Sequence, residues 1–301
     1  MILSYSTSMS AMHCETKAGK FSVTFHACTR EPLTWKEELY AAARSIASKA
    51  QKPLWLCSSG GLDSEIMCHS FFDQGINFSV LTIAYGDGTN EHEVEHARTW
   101  CQKHGVHQKI VRLDMRGFLE KQVLLYTEQD YISSDLLRYM QIALMETVDA
   151  MEGYAVIAAG KQLYKIDSGR AHPSRSDVFL ECNSGLGVPL EWLQRNNTSH
   201  EPYFLYSTPE LCLSYLRIPL IDFALDHPDV FNHPANASLL RRLVSQQYWP
   251  TLAHRPKSRG LKNISPDLTA LKDALKKRAD EHVLRYTLSI PEFTAQLTPR
   301  V

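Results

Sequence analysis

The amino-acid sequence predicts an α/β chain: a doubly wound, parallel, five-stranded sheet with a small N-terminal β appendage and a helical C-terminal part. Three observations predict it. Between Leu54 and Ala159, short apolar runs of strand length alternate with apolar residues at helical spacing. The first of these runs ends in Ser58-Ser59-Gly60-Gly61 and passes straight into a helical pattern. The last third has helical spacing interrupted by prolines. The expected division is a β appendage over 1–33, a core domain over 34–165, and an insertion or lid followed by a helical substrate region over 166–301.

The elements follow in order. Met1 to Lys20 is polar and unpatterned, and Phe21 to Ala27 alternates like a half-exposed strand. Thr34-x-x-Glu37 is a capping box that opens a helix carrying Trp35, Leu39, Ala42 and Ile46. Leu54 to Cys57 is the first core strand, and Leu62 to Phe72 the next helix, with Leu62, Ile66, His69 and Phe72 along one side. Gly75 closes a turn into the strand Phe78 to Tyr85, apolar enough to be buried on both faces. Asn90 is placed to cap a helix with Val94, Ala97 and Cys101, ending near Gly105 before the strand Gln108 to Leu113. Ser134 or Asp135 opens a longer helix with Leu136, Met140, Ala143, Leu144, Val148 and Met151 on one face, leading to the strand Tyr154 to Ala159. Lys161 to Glu201 holds polar clusters and one short strand, Val178 to Glu181, and the remainder reads as helices over 209–216, 237–244 and 266–284.

Composition narrows the function classes. A chain of 301 residues buries a full core, and 32 Lys plus Arg against 33 Asp plus Glu leave no global field to recruit nucleic acid or an anionic membrane. Seven cysteines without C-x-x-C spacing argue against a disulfide framework and a zinc ribbon, and point to a reducing, cytoplasmic setting. Neither a signal segment nor a run of about 18 apolar residues is present, so no membrane association is expected.

The chemistry concentrates at Ser58-Ser59-Gly60-Gly61-Leu62-Asp63-Ser64. Glycines let a backbone approach an anion, the first N–H groups and the dipole of a helix favour phosphate, and serine hydroxyls add donors. Asp63 offers a hard oxygen for magnesium. The Gly-Lys-Ser/Thr of a Walker loop and the spacing of a dinucleotide fingerprint are both absent. Ser59 to Ser64 resembles the pyrophosphate loop of the ATP pyrophosphatase family, whose fold is that of the adenine nucleotide alpha hydrolases. Leu216-Arg-Ile-Pro-Leu-Ile-Asp222, Leu239-Leu-Arg-Arg-Leu243 and Trp249 to Gly260 resemble, in order, C-terminal motifs of asparagine synthetase-type domains.

That resemblance implies ATP and Mg2+ as cofactors. It implies AMP-forming ligation, in which a carboxylate or carbonyl oxygen attacks the α-phosphorus, pyrophosphate leaves, and an amine or ammonia displaces AMP. It assigns the phosphates to the loop and the adenine to the backbone of Thr82, Ile83 and Ala84. Gly160 and Lys161 fall at the end of the fourth core strand, Lys257 and Arg255 near the reacting centre. For Ile83 a plain core role, and for Lys161 and Arg138 an ordinary surface role, are the alternatives. Where asparagine synthetase has Gly-Glu-Gly-Ala-Asp-Glu, this chain has Gly160-Lys-Gln-Leu-Tyr164, leaving Asp167 and Glu181 as substitutes for a second magnesium ligand. Position 2 is Ile rather than the nucleophilic cysteine of a glutaminase domain, so a separate amine-supplying or carrier protein is expected beside the small carboxylate or nucleobase-like substrate. A homodimer is compatible with this reading.

Three rivals accompany it. His92-Glu93-Val94-Glu95-His96 fits the zinc pattern H-E-x-x-H, with Glu120 as a conceivable third ligand, but it also reads as the acidic start of a crossover helix. A nucleobase, tRNA-modifying or sulfur-transfer enzyme of the same family would use a thiol pair, for which Cys182 and Cys212 are candidates. A nucleotide-binding module without catalysis is the non-enzyme reading.

Overall fold

The structure, a computed structural model, describes residues 2–5, 12–17, 20–159, 164–166, 174–228, 234–252 and 266–299. Its centre is a parallel sheet of four strands: β4 (Leu54–Cys57), β5 (Ser79–Tyr85), β6 (Gln108–Leu113) and β7 (Tyr154–Ile157), in the order β6-β5-β4-β7. The chain winds outward from β4 to β6 and then returns to place β7 on the other side of β4. The direction of winding therefore reverses beside β4, and ligands of such sheets bind at the carboxyl ends of the strands near that point.

Side-chain alternation along the strands builds two cores. Leu54, Leu56, Val80, Tyr154 and Val156 face one side, where they meet α1 (Trp35–Lys49), α2 (Leu62–Phe72) and α3 (Glu91–His104). Cys57, Leu81, Ala155 and Ile157 face the other, against α5 (Val123–Glu128), α6 (Leu136–Asp149) and α7 (Val188–Arg195). A three-residue helical turn α4 (Met115–Gly117) and a π turn Phe118–Gln122 precede α5. The capping box of Thr34 and Glu37 forms, and Gly105 ends α3 in the left-handed conformation.

Four expectations are corrected. The parallel sheet has four strands among the described residues, not five. At the fifth position a single parallel bridge joins Val156 to Glu201, and Pro202, with no N–H to donate, follows it directly. Helix α2 is not one-sided: every residue from Ser64 to Phe71 is buried, whereas Phe72, expected on the packed face, is exposed. Asn90 starts α3 without capping it through its side chain. The last third is not purely helical: besides α8 (Pro209–Leu216), α9 (Pro219–Asp226), α10 (Pro234–Tyr248), α11 (Pro266–Asp280) and α12 (Ile290–Leu297), it contains a strand at Arg285–Ser289.

That strand, β10, pairs antiparallel with β9 (Val178–Asn183), whose other edge holds β8 (Tyr164–Ile166). The unpatterned beginning of the chain also forms strands. β1 (Ile2–Tyr5), β2 (Met12–Lys17) and β3 (Lys20–Phe25) make an antiparallel meander. The two ends of the chain pack together: Phe25 meets Phe293 edge to face at 4.5 Å, and the Cys28 N–H donates to the Leu297 carbonyl at 2.8 Å. Within 166–201, Val178, Leu180, Leu190 and Trp192 are core residues.

Candidate functional site: a phosphate loop at the carboxyl edge of the sheet

The ladder between β4 and β5 ends where the Ser58 N–H donates to the Leu81 carbonyl at 2.9 Å. Beyond it the chain turns through Gly60, at φ +75°, and enters α2 with Gly61 as its first cap. A side chain at Gly60 would run into the backbone carbonyl of Glu93, so the loop sits directly on the start of α3. Gly61 is different, since its backbone is ordinary extended chain and a Cβ there would meet only the movable Ser59 hydroxyl at 3.3 Å.

The loop's polar groups bond chiefly to one another, and loosely. Ser58 Oγ accepts from the Gly60 N–H and Ser59 Oγ from the Gly61 N–H, each at 3.3 Å. Ser64 Oγ donates to the Gly61 carbonyl at 2.9 Å and lies 3.4 Å from the hydroxyls of both Ser58 and Ser59. No side chain caps α2, so the first N–H groups of the helix have no capping acceptor beside three serine hydroxyls. A phosphate supplies the acceptors that this arrangement lacks.

Asp63 is half-exposed in the first turn of α2, and its Oδ2 lies 3.7 Å from Arg241 Nη1 on α10. Sequence reasoning did not single out Arg241 as a site residue, although it belongs to the Leu239-Leu-Arg-Arg-Leu segment; only folding brings the two residues together. The same pair lies within electrostatic reach of Tyr215, whose phenol burial pushes upward. Asp63 fits magnesium on its donor chemistry: one accessible carboxylate suits an ion that takes one or two protein oxygens and completes its shell with phosphate and water. When bound, the ion would neutralise phosphate charge.

Thr82, Ile83 and Ala84 lie in β5 beside the loop. Thr82 Oγ1 is turned to β6, where it accepts from Gln108 Nε2 at 2.9 Å, and the Ile83 side chain packs on a core. Asn90, instead of capping α3, accepts from the Tyr85 N–H at 2.7 Å and donates to the Ile83 carbonyl at 2.8 Å. It holds the end of β5 in the manner of a neighbouring strand, a use that no local sequence pattern distinguishes from a cap.

Other expected residues separate from the loop. Gly160, Lys161, Asp167, Arg255 and Lys257 lie outside the described residues. Glu181 pairs with Arg285 at 3.0 Å and Glu120 with Arg116 at 3.0 Å. Arg138 is no surface residue: it is packed against the Tyr203 ring and bonded to Gln141, and its buried Nε lies 3.6 Å from Asp135 Oδ2 with no hydrogen bond among the described residues. His92 is exposed and His96 half-buried, and their helix start buttresses Gly60. Among the described residues no three His, Cys, Asp or Glu side chains converge as a metal-binding group. Cys182 and Cys212 are buried, with burial pushing the Cys182 thiol up to about 12 and that of Cys212 upward as well. Also among the described residues, no helix is long and apolar enough to cross a membrane.

A strand, a tight loop and an uncapped helix at the winding reversal of a parallel sheet define an α/β nucleotide-binding protein. Residues 54–148, less than half of the chain, match the family model described as "Queuosine biosynthesis protein QueC". The matched stretch, which holds Ser58 to Ser64, is similar to the PP-loop ATP pyrophosphatase family, whose members use ATP. No curated protein matches the chain. Among solved structures it is similar to an NMN synthetase from Francisella tularensis, at 10% identity over 83% of this chain and 96% of that one, with a TM-score of 0.34. It is also similar to the NH3-dependent NAD synthetase of Campylobacter jejuni, at 13% identity over 83% and 96%, with a TM-score of 0.31. A third is the U34-tRNA thiolase NcsA of Methanococcus maripaludis, at 11% identity over 82% and 79%, with a TM-score of 0.32.

Proposed function

We propose that the chain is an AMP-forming amide synthetase. In this reading the loop Ser58 to Ser64 holds the β- and γ-phosphates, with Asp63 serving the magnesium ion. A substrate carboxylate or carbonyl oxygen attacks the α-phosphorus, pyrophosphate leaves, and ammonia or an amine displaces AMP from the adenylate to form a C–N bond. Thr82 to Ala84 border the adenine, Gly160 and Lys161 the far side of the phosphates, and Lys257 with Arg255 the reacting centre.

The observation that carries this reading is the Asp63–Arg241 contact at 3.7 Å. It sets α10, whose Leu-Arg segment is one of the asparagine-synthetase-like motifs, against the phosphate loop. Arg241 is then available as a counter-charge to phosphate once Asp63 serves a metal ion. Purified protein, ATP, Mg2+ and ammonia assayed against panels of carboxylates should release pyrophosphate and AMP with one of them, and Asp63→Asn should abolish that release while the circular-dichroism spectrum and melting temperature stay unchanged. Undiminished turnover in Asp63→Asn would remove the reading.

A second reading has its own support. The family model over 54–148 is described by queuosine biosynthesis, which favours a nucleobase-like substrate for the same ATP chemistry. The two share the adenylation half-reaction, so the panel should include purine-like carboxylates. The buried, protonated state of Cys182 and Cys212 weighs against sulfur transfer through that pair.

A further inference from the structure

The first turn of α3 touches both the phosphate loop and the end of β5. Its Glu93 carbonyl lies against Gly60, and Asn90, the residue that starts the helix, reaches back to the strand. Along a strand, the main-chain groups of alternate residues point to the same side. Those of Leu81 face β4, where the last rung is the Ser58 N–H on the Leu81 carbonyl. The next groups on that side are the Ile83 carbonyl and the Tyr85 N–H. They lie past the end of β4, so no strand of the described residues pairs with them there, and β6 takes the opposite side. This short run of sheet edge follows directly on the rung that opens the phosphate loop.

Asn90 fills it. Its amide nitrogen donates to the Ile83 carbonyl at 2.8 Å, its amide oxygen accepts from the Tyr85 N–H at 2.7 Å, and the residue is 5% exposed. A planar group with a donor and an acceptor side by side is also what a 6-aminopurine offers, through its amino group and the adjoining ring nitrogen. Adenine on this edge would make the same two bonds, whereas a 6-oxopurine in the same pose would set its oxygen against the Ile83 carbonyl.

The side chain can turn away without undoing its surroundings. It makes no capping bond in α3. The turn before it, Gly86 to Gly88, is exposed and closed by its own bonds, from the Gly88 N–H to the Tyr85 carbonyl at 2.9 Å and from the Thr89 N–H to Asp87 at 3.1 Å. We propose that Asn90 is a stand-in for adenine: it occupies the base subsite and is turned out when ATP binds, so that it sets both the affinity and the selectivity for 6-aminopurine nucleotides. The inference rests on the reading in which Thr82 to Ala84 border the adenine.

Asn90→Ala, with Asn90→Ser as a second variant, separates a stand-in from a simple strut. Titrations use MgATP, MgITP and magnesium tripolyphosphate, and hydrogen exchange is read at the Tyr85 amide. Removing a competitor that makes two hydrogen bonds should tighten ATP binding about tenfold and leave ITP and tripolyphosphate within about twofold of the parent. Without nucleotide, the variants should melt lower and exchange the Tyr85 amide faster, because that donor has lost its acceptor. ATP should restore its protection, and tripolyphosphate should not. In the unmodified protein, ATP should shift the side-chain amide resonances of Asn90, and tripolyphosphate should leave them in place. If the parent binds ATP, the stand-in is overturned by variants that bind it no more tightly, by a gain shared with ITP, or by Asn90 resonances unmoved at saturating ATP, and the ATP reading stands. ATP binding by neither parent nor variants overturns the ATP reading and the stand-in with it.

Discussion

Two stretches border the β4–β7 side of the parallel sheet and treat the polar groups there in opposite ways. Along β7, the segment 198–202 closes its backbone and its histidine, although the buried Glu201 Oε2 has no hydrogen-bond partner among the described residues. His200 Nδ1 accepts the Ala155 N–H at 3.0 Å, and its Nε2 lies 3.1 Å from Asp149 Oδ2, which also accepts from Thr198 Oγ1. The Glu201 N–H and carbonyl complete the β7 edge, each at 2.8 Å. After β4, the loop 58–61 does the reverse. Its hydroxyls lie 3.4 Å from that of Ser64 and accept from the Gly60 and Gly61 N–H groups at 3.3 Å, and the helix it feeds has no side-chain cap. The histidine–aspartate pair closes sheet backbone, whereas the serine loop leaves the first donors of α2 without a capping side chain, and the proposed phosphate site rests on that difference.

The contrast is broken most severely at Gly60. Gly60→Ala forces a left-handed backbone on alanine and drives its Cβ into the Glu93 carbonyl, at about 3 kcal/mol or more. Pyrophosphate release should vanish and the melting temperature fall. Gly61→Ala, with no such clash, should keep the melting temperature and weaken ATP binding alone. Equal loss of stability in both variants would contradict the assignment of Gly61 to the ligand.

Next in size is Lys257→Ala. If Lys257 stands at the reacting centre as proposed, it stabilises charge that develops in the transition state, and its loss costs on the order of a hundredfold in turnover. ATP affinity and melting temperature should change little, and Lys257→Arg should fail nearly as badly, because a planar fork does not replace a compact ammonium. Normal turnover in Lys257→Ala at saturating substrate would favour the nucleobase reading.

On the closed side, His200→Ala should do the opposite of these variants. It orphans the Ala155 N–H and should cost about 1–3 kcal/mol in chemical denaturation, while pyrophosphate release by the folded enzyme stays near that of the parent. A steep activity loss with unchanged stability would place His200 in the chemistry.

The smallest effect is a pH dependence of stability. His69 is buried and accepts the Trp100 indole N–H at 3.2 Å, and burial lowers it from 6.5 to about 4. Burial lowers His200 too. The unfolded chain takes up these protons as pH falls below about 6.5, whereas the native chain resists until His69 itself titrates near 4. These histidines therefore cost the folded state stability progressively between those limits, while the buried Glu201, raised from 4.5 to about 7, contributes in the opposite sense over much of the same range. Measured as the difference from the parent, the melting temperature of His69→Phe should rise as pH falls through that window.

Much of the nucleotide half was legible in the sequence because its signals are local. Spacing marked α1, α3 and α6, the Thr34–Glu37 capping box was written in four residues, and Ser58 to Ser64 announced an anion loop through glycine and hydroxyl chemistry alone. Helix α2 misled because a helix buried on all sides has no polar stripe to reveal its orientation. Asn90 misled because the same side chain can cap a helix or bridge a strand, and only the position of β5 decides.

What tertiary structure alone decided depends on residues far apart in the chain. Arg241 reaches Asp63 across 178 positions, β10 finds β9 across about a hundred, and Phe293 closes over Phe25 to join the two ends. Each such contact is chosen by the burial and charge of surfaces that exist only once the sheet is assembled. The phosphate loop was determined by its own residues, whereas its arginine partner was determined by packing.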